Sequence, residues 1–159
     1  MKTIKLMTSA MLMFVLMVGS VVAQQTGQKQ QQQMQQQMQQ MNQMMSKMNQ
    51  LMERTQNMNQ EMNRYMTQAQ NEQMQNQYRN MYRFGEQLGL TLGNMKNAAE
   101  RCNLMLQDKD MTRDRDMQRD MDRLRQHLQD MTGQAEEVVQ TMERLTQRLH
   151  QQEKTGTEE

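Results

Sequence analysis

Beyond residue 33, apolar side chains recur in alternating steps of four and three. Met34, Met38, Met41, Met45, Met48 and Met52 keep this spacing without an error. That is the a and d pattern of a heptad, and it puts all six on one stripe of a helix. The register weakens through Thr55 and Asn59 and resumes at Met62, Met66 and Ala69, while a flanking column runs Met44, Leu51, Met58, Tyr65. Three apolar columns form a face wider than a two-helix seam, which suits a bundle. A second segment carries Met74, Tyr78, Met81, Gly85, Leu88, Leu92, Met95, Ala99, Cys102 and Leu106, widened by Phe84, Ala98 and Met105. A third carries Met117, Met121, Leu124, Leu128, Met131, Ala135, Val138, Met142, Leu145 and Leu149. The pattern predicts an all-α protein, an elongated coiled coil or helical hairpin whose interface these residues form.

The phase slips between segments. Residues 107–116 are almost wholly polar, and Leu106 to Met117 is an 11-residue step. A stutter in one helix and a reversal both fit this step; a turn is the expectation, giving an antiparallel hairpin within residues 74–149. Asp110 or Thr112 would cap the helix that follows, because a short side-chain oxygen accepts from first-turn amides. The slip near Gln70–Gln73 is milder and allows the first segment to run straight into the second. Gly85, Gly89 and Gly93 stand four apart. On a helix they make a bare ridge where another backbone can approach, the small-xxx-small device, and a hinge is the alternative.

Residues 1–23 have a different character. Lys2 and Lys5 precede an apolar stretch centred on Ala10 to Val18, and Val21 and Ala23 stand at the −3 and −1 positions of a small-residue cleavage site. This is the pattern of a secretory signal, with cleavage expected before Gln24. The apolar core is short for a membrane span, so no stable span is expected after cleavage. A secreted or periplasmic location follows as an expectation. Residues 24–73 are a Gln/Met-rich, low-complexity segment, helical or partly disordered, and residues 150–159 read as a disordered tail.

Composition narrows the function classes. The chain has no Pro, 7 Gly, 24 Met and only 3 % aromatic residues, so long helices are favoured over a many-layered α/β enzyme. Net charge is +1, and each Arg of residues 108–130 is interleaved with Asp, so no nucleic-acid partner is expected. The single Cys102 excludes an internal disulfide.

Candidate chemistry is sparse. His127 and His150 have no ligand-spaced companions, and neither a phosphate-binding glycine loop nor a nucleophile elbow is present; the chain reads as non-enzymatic, with no cofactor. Met34, Met38, Met41, Met45 and Met48 bring sulfurs to one side of a helix, and thioethers select Cu(I). In this the run resembles the Met-rich segments of exported copper-handling proteins, and the resemblance implies Cu(I) ligation by these sulfurs. Small exported chaperones of the Spy type cradle unfolded clients on helices and carry an LTxxQ signature. Leu145–Leu149 reads LTQRL, which begins that signature and departs from it at the last position. The expectation is therefore an exported structural or interaction protein that self-associates or binds a helical partner through Met-rich faces. Periplasmic Cu(I) binding and chaperone-like client binding are its alternatives.

Overall fold

The computed structural model describes the backbone of residues 2–69, 71–108 and 114–156, and the side chains within them from Gln31 to Thr155. Three helices account for nearly all of it: α1 (Lys2–Gln68), α2 (Glu72–Gln107) and α3 (Arg115–Gly156), with no strand among the described residues. The chain divides into two compact units, Met1–Gln39 and Gln40–Glu159. The described backbone of the first is helical throughout. Among the described residues no helix is long and apolar enough to cross a membrane.

The helix ends have local causes. Asn71 takes an extended backbone (φ −123°, ψ 151°) and its side chain accepts from the Met74 amide at 2.8 Å, capping α2. Glu72 adds a negative charge to the first turn, where the helix dipole favours it. The Gln75 side chain donates back to the Ala69 carbonyl at 3.1 Å. The mild phase slip at 70–73 is thus a genuine interruption, and no helix runs unbroken from 34 to 106. At the next connection Asp114 Oδ1 accepts from the Asp116 and Met117 amides at 2.8 and 3.2 Å. Asp114 therefore caps α3; Asp110 and Thr112 lie outside the described residues.

In the second unit the three helices pack side by side. Lys47 pairs with Glu136 and Arg54 with Glu143, so α1 and α3 run in the same direction. Asn59 lies against Gly85 and Met52 against Gly93, so α2 runs opposite to α1. One core cluster joins Leu51, Leu88, Leu92, Ala135 and Val139, with Met52 against it. Another joins Met58, Met62 and Met142, with Met81 and Tyr82 against it. Each large apolar side chain so buried contributes about 1.5–3 kcal/mol relative to exposure.

On α2 the buried residues Tyr78, Gly85, Leu88, Leu92, Met95, Ala99, Cys102 and Leu106 follow the heptad row of the sequence. On the other two helices the packed row is displaced to one side. In α1 it is Met41, Met44, Met48, Leu51, Thr55, Met58 and Met62, so the flanking column Met44, Leu51, Met58 replaces Met45 and Met52. In α3 it is Met121, Leu128, Thr132, Ala135, Val139, Met142 and Thr146. Threonine fills these places because its hydroxyl bonds the carbonyl four residues back. Thr55 reaches Leu51 at 2.8 Å, Thr132 reaches Leu128 at 2.7 Å and Thr146 reaches Met142 at 2.9 Å. A polar residue that satisfies itself on its own helix can be buried without an orphaned donor.

The glycine ridge reduces to one close approach. A Cβ on Gly85 would fall on the Asn59 side-chain oxygen, whereas one on Gly89 would meet nothing within 4 Å and one on Gly93 only the Met52 sulfur at 3.9 Å. Helix α2 passes through all three unbroken, so none is a hinge.

Candidate interaction surface

The displaced row on α3 leaves an apolar column outside. Met117 (44 % exposed), Leu124 (40 %), Met131 (44 %), Val138 (36 %) and Leu145 (44 %) all face water. They recur every seventh residue, forming a column about 42 Å long at the usual ~1.5 Å rise, which winds by about 20° per heptad. Their sequence-predicted companions Met121, Leu128 and Met142 are buried, and Leu149 is half-buried. The structure thus separates the two columns of the α3 heptad, packing one inside the unit and leaving the other open.

The position of the open column follows from helix geometry. Glu136 and Glu143, which bond α1, lie about 140–160° around α3 from Val138 at ~100° per residue. Leu128, Ala135 and Met142, four residues beyond the exposed ones, are in the core. The column therefore runs along the edge of the packed face farthest from α1, beside α2. On α2, Phe84 (50 % exposed), Ala98 and Met105 lie on the side away from Gly85 and Gly93, which face α1. The two rows flank the outer mouth of the α2–α3 groove. Leu90 and Leu104, more than 60 % exposed, point elsewhere on α2.

Charged residues border this face. Asp116 pairs with Arg119 at 3.0 Å, Asp120 with Arg123 at 3.4 Å and Asp122 with Arg125 at 3.7 Å, each three residues apart on α3. The exposed pairs contribute little to stability, so their side chains can re-pair at small cost. Asp116, Arg123, Asp130, Glu137 and Arg144 form a second seven-residue column, one position before the apolar one.

The opposite end of the unit is closed by polar aromatic packing. Tyr65 stacks on His150 with centroids 4.0 Å apart and contacts Tyr78 at 5.6 Å. The Tyr78 hydroxyl donates to Glu153 at 3.1 Å, and His150 Nδ1 lies 3.7 Å from the same carboxylate. Burial first, and then the negative charge of Glu153, raise the Tyr78 phenol well above its usual range. A phenol held protonated in the core is a structural tie between α2 and α3 rather than a base or nucleophile. Glu153 belongs to this tie, so the helical packing extends into the region read as a tail.

The methionines considered for copper differ in burial. Met41 and Met48 are completely buried in the packed row, and Met45 is half-buried. Met34 and Met38, in the first unit, are half-buried. Another thioether grouping lies at Met58, Met62 and Met142 with Met81. Among the described residues no group of three His, Cys, Asp or Glu is placed to hold a metal. Cys102 is fully buried, and burial pushes its thiol up, partly offset by Arg125.

On α2, Met74 and Met81 are half-buried; the remaining predicted interface residues Tyr78, Leu88, Leu92, Met95, Cys102 and Leu106 are in the core. Missed from sequence were Thr132, Val139 and Thr146, although they too recur at seven-residue spacing. No protein-family model matches the chain, and it has no match among curated proteins or solved structures.

Proposed function

We propose that this is an exported, non-enzymatic structural or interaction protein that works through helical faces, its second unit built as a helical hairpin of coiled-coil type with residues 40–68 of α1 laid against it. The observation that carries this reading is the exposed column Met117, Leu124, Met131, Val138 and Leu145. Five large apolar residues in strict heptad spacing each keep more than a third of their surface in water, which costs solubility. Such a patch on a helix is what association requires. Export rests on residues 1–23, whose basic start, apolar centre and small-residue cleavage site make a secretory signal.

A photo-crosslinking residue at Met131, with one at Gln126 as control, tests the reading in cells that export the chain. Gln126 is exposed and lies about 140° around the helix. Discrete adducts from position 131 and none from 126 are expected; equal or absent adducts at 131 would refute the reading.

A second reading, Cu(I) holding, is favoured by the burial of Met58, Met62 and Met142 together, with Met81 against them. Soft thioether donors from three helices then share one region. Competition with a Cu(I) chelator tests it on the wild-type chain, on Met58→Leu/Met62→Leu/Met142→Leu, and on Met34→Leu/Met38→Leu/Met41→Leu/Met45→Leu. Leu keeps the apolar packing, so affinity unchanged in both variants would exclude these sulfurs as ligands. The chaperone alternative predicts suppressed aggregation of an unrelated denatured protein, lost in Met131→Glu.

A further inference from the structure

We infer that the occupant of the open α3 face is a second copy of this chain, with the two α3 helices antiparallel about a two-fold axis at Met131. The inference rests on the interaction reading above and names its partner.

Self-complementarity carries the argument. Reversed about Met131, the apolar column meets itself end to end: Met117 comes opposite Leu145, Leu124 opposite Val138, and Met131 opposite its own copy. A two-fold interface must use the same patch on both partners, and this column has apolar residues at every reversed position.

The neighbouring charged column selects the direction. In the same arrangement Asp116 lies two residues, about 3 Å along the axis, from the level of Arg144 of the copy, and Arg123 lies as far from Glu137, a gap these side chains span. The two-fold axis doubles these to four opposite-charge pairs. One like-charge pair arises, Asp130 with its copy, each one residue off the axis. A parallel two-fold pairing would instead carry the two copies of this column to opposite sides of the interface, so none of these pairs would form. Charge placement of this kind fixes orientation and excludes the wrong register.

These side chains are available for the contact. Asp116 and Arg123 are exposed and, among the described residues, pair with neighbours on their own helix at 3.0 and 3.4 Å. Arg144 is exposed and donates to the Gln140 carbonyl and the Thr141 hydroxyl of its own helix. Phe84, Ala98 and Met105 of α2, along the same groove mouth, extend the apolar surface that the second copy would cover.

Sedimentation and cysteine crosslinking of the full chain test the proposal. The chain is expected to sediment as a dimer at micromolar concentration, and Met131→Glu as a monomer with an unchanged helical spectrum. Asp116→Arg should weaken the dimer about tenfold or more, by setting like charges across the interface; Asp116→Arg/Arg144→Asp should restore it. In a Cys102→Ala background Met131→Cys should form a disulfide with its own copy. Met117→Cys and Leu145→Cys should not do so alone but should when mixed, because like ends lie about 42 Å apart. A monomeric wild type, or self-crosslinking by Met117→Cys, would overturn the antiparallel dimer. A monomer whose Met131 photo-crosslinks to a different protein would also overturn it, while leaving the interaction reading intact.

Discussion

Arg54 of α1 grips Glu143 of α3 with two parallel bonds, Nε to Oε1 at 2.9 Å and Nη2 to Oε2 at 2.7 Å. The pair is 89 residues apart in sequence and ties the first helix to the last. The hydrogen bonds to Glu143 are the main cause of the raised Arg54 pKa. Planar, two-pronged geometry is the strong form of such a pair, but each side chain keeps about a third of its surface in water, so screening limits its contribution. A double-mutant cycle on Arg54→Ala and Glu143→Ala, read by urea unfolding, should give a coupling of about 0.5–1 kcal/mol. Arg54→Lys should lose most of it, because an ammonium cannot reproduce the fork. Zero coupling would show that the fork does not form in solution.

Glycines on α2 and α3 make opposite predictions from the same residue type. A methyl group on Gly89 or Gly133 enters open space, and the helix interior prefers Ala over Gly by about 0.8–1 kcal/mol. Gly89→Ala and Gly133→Ala should therefore each stabilise the chain by roughly that amount in chemical denaturation. Gly85→Ala drives its methyl onto the Asn59 side chain and should offset or reverse the gain. Asn59→Ala should remove the clash, so the Gly85→Ala penalty disappears in the double variant. A stabilising Gly85→Ala in the wild-type background would contradict the close approach of α1 and α2 at this point.

How much of this was legible depended on what each helix packs against. The α2 row could be read directly, because every buried residue of α2 falls on its heptad positions. On α3 two columns compete, and hydrophobicity alone favours Leu124, Met131, Val138 and Leu145 over Thr132 and Thr146. The packing inside the unit uses the threonines, whose hydroxyls are satisfied by their own helix; a count of apolar residues cannot register that. The exposed column was thus visible as an apolar column, and its exposure was not. Ion pairs three residues apart on α3 follow from spacing, whereas Arg54–Glu143 and Tyr78–Glu153 required the fold. The break at 69–71 had a readable cap in Asn71, masked by the Gln-rich sequence on both sides.

Alkaline pH should loosen the tie between α2 and α3. The buried Tyr78 phenol titrates well above its ordinary value, while in the unfolded chain it ionises near pH 10. Between those limits the unfolded state holds fewer protons than the folded one. The stability from this group is therefore complete below about pH 10 and declines as pH rises through the folded value. Thermal melts from pH 7 to 11.5 should show this fall. Tyr78→Phe should be less stable by about 1 kcal/mol at neutral pH, through the lost bond to Glu153, and should fall less steeply above pH 10. Parallel curves for the two proteins would place the phenol outside the core.

The buried threonines offer the sharpest test of why the α3 row is displaced. Thr132 and Thr146 are each 2 % exposed, and each hydroxyl bonds a main-chain carbonyl within the helix. Those carbonyls also take part in ordinary helix bonding, so removing the hydroxyl orphans no buried group. Thr132→Val and Thr146→Val keep the branched shape and replace a polar atom by a methyl. Each is expected to leave stability within about 1 kcal/mol of wild type, on the favourable side where the methyl packs well. Thr132→Ser keeps the hydroxyl and deletes the methyl, and should cost about 1 kcal/mol. If the order were reversed, with Ser tolerated and Val costly, the hydroxyl would be the essential group. Self-satisfied burial would then fail as the reason the heptad on α3 turns its Met117–Leu145 column outward.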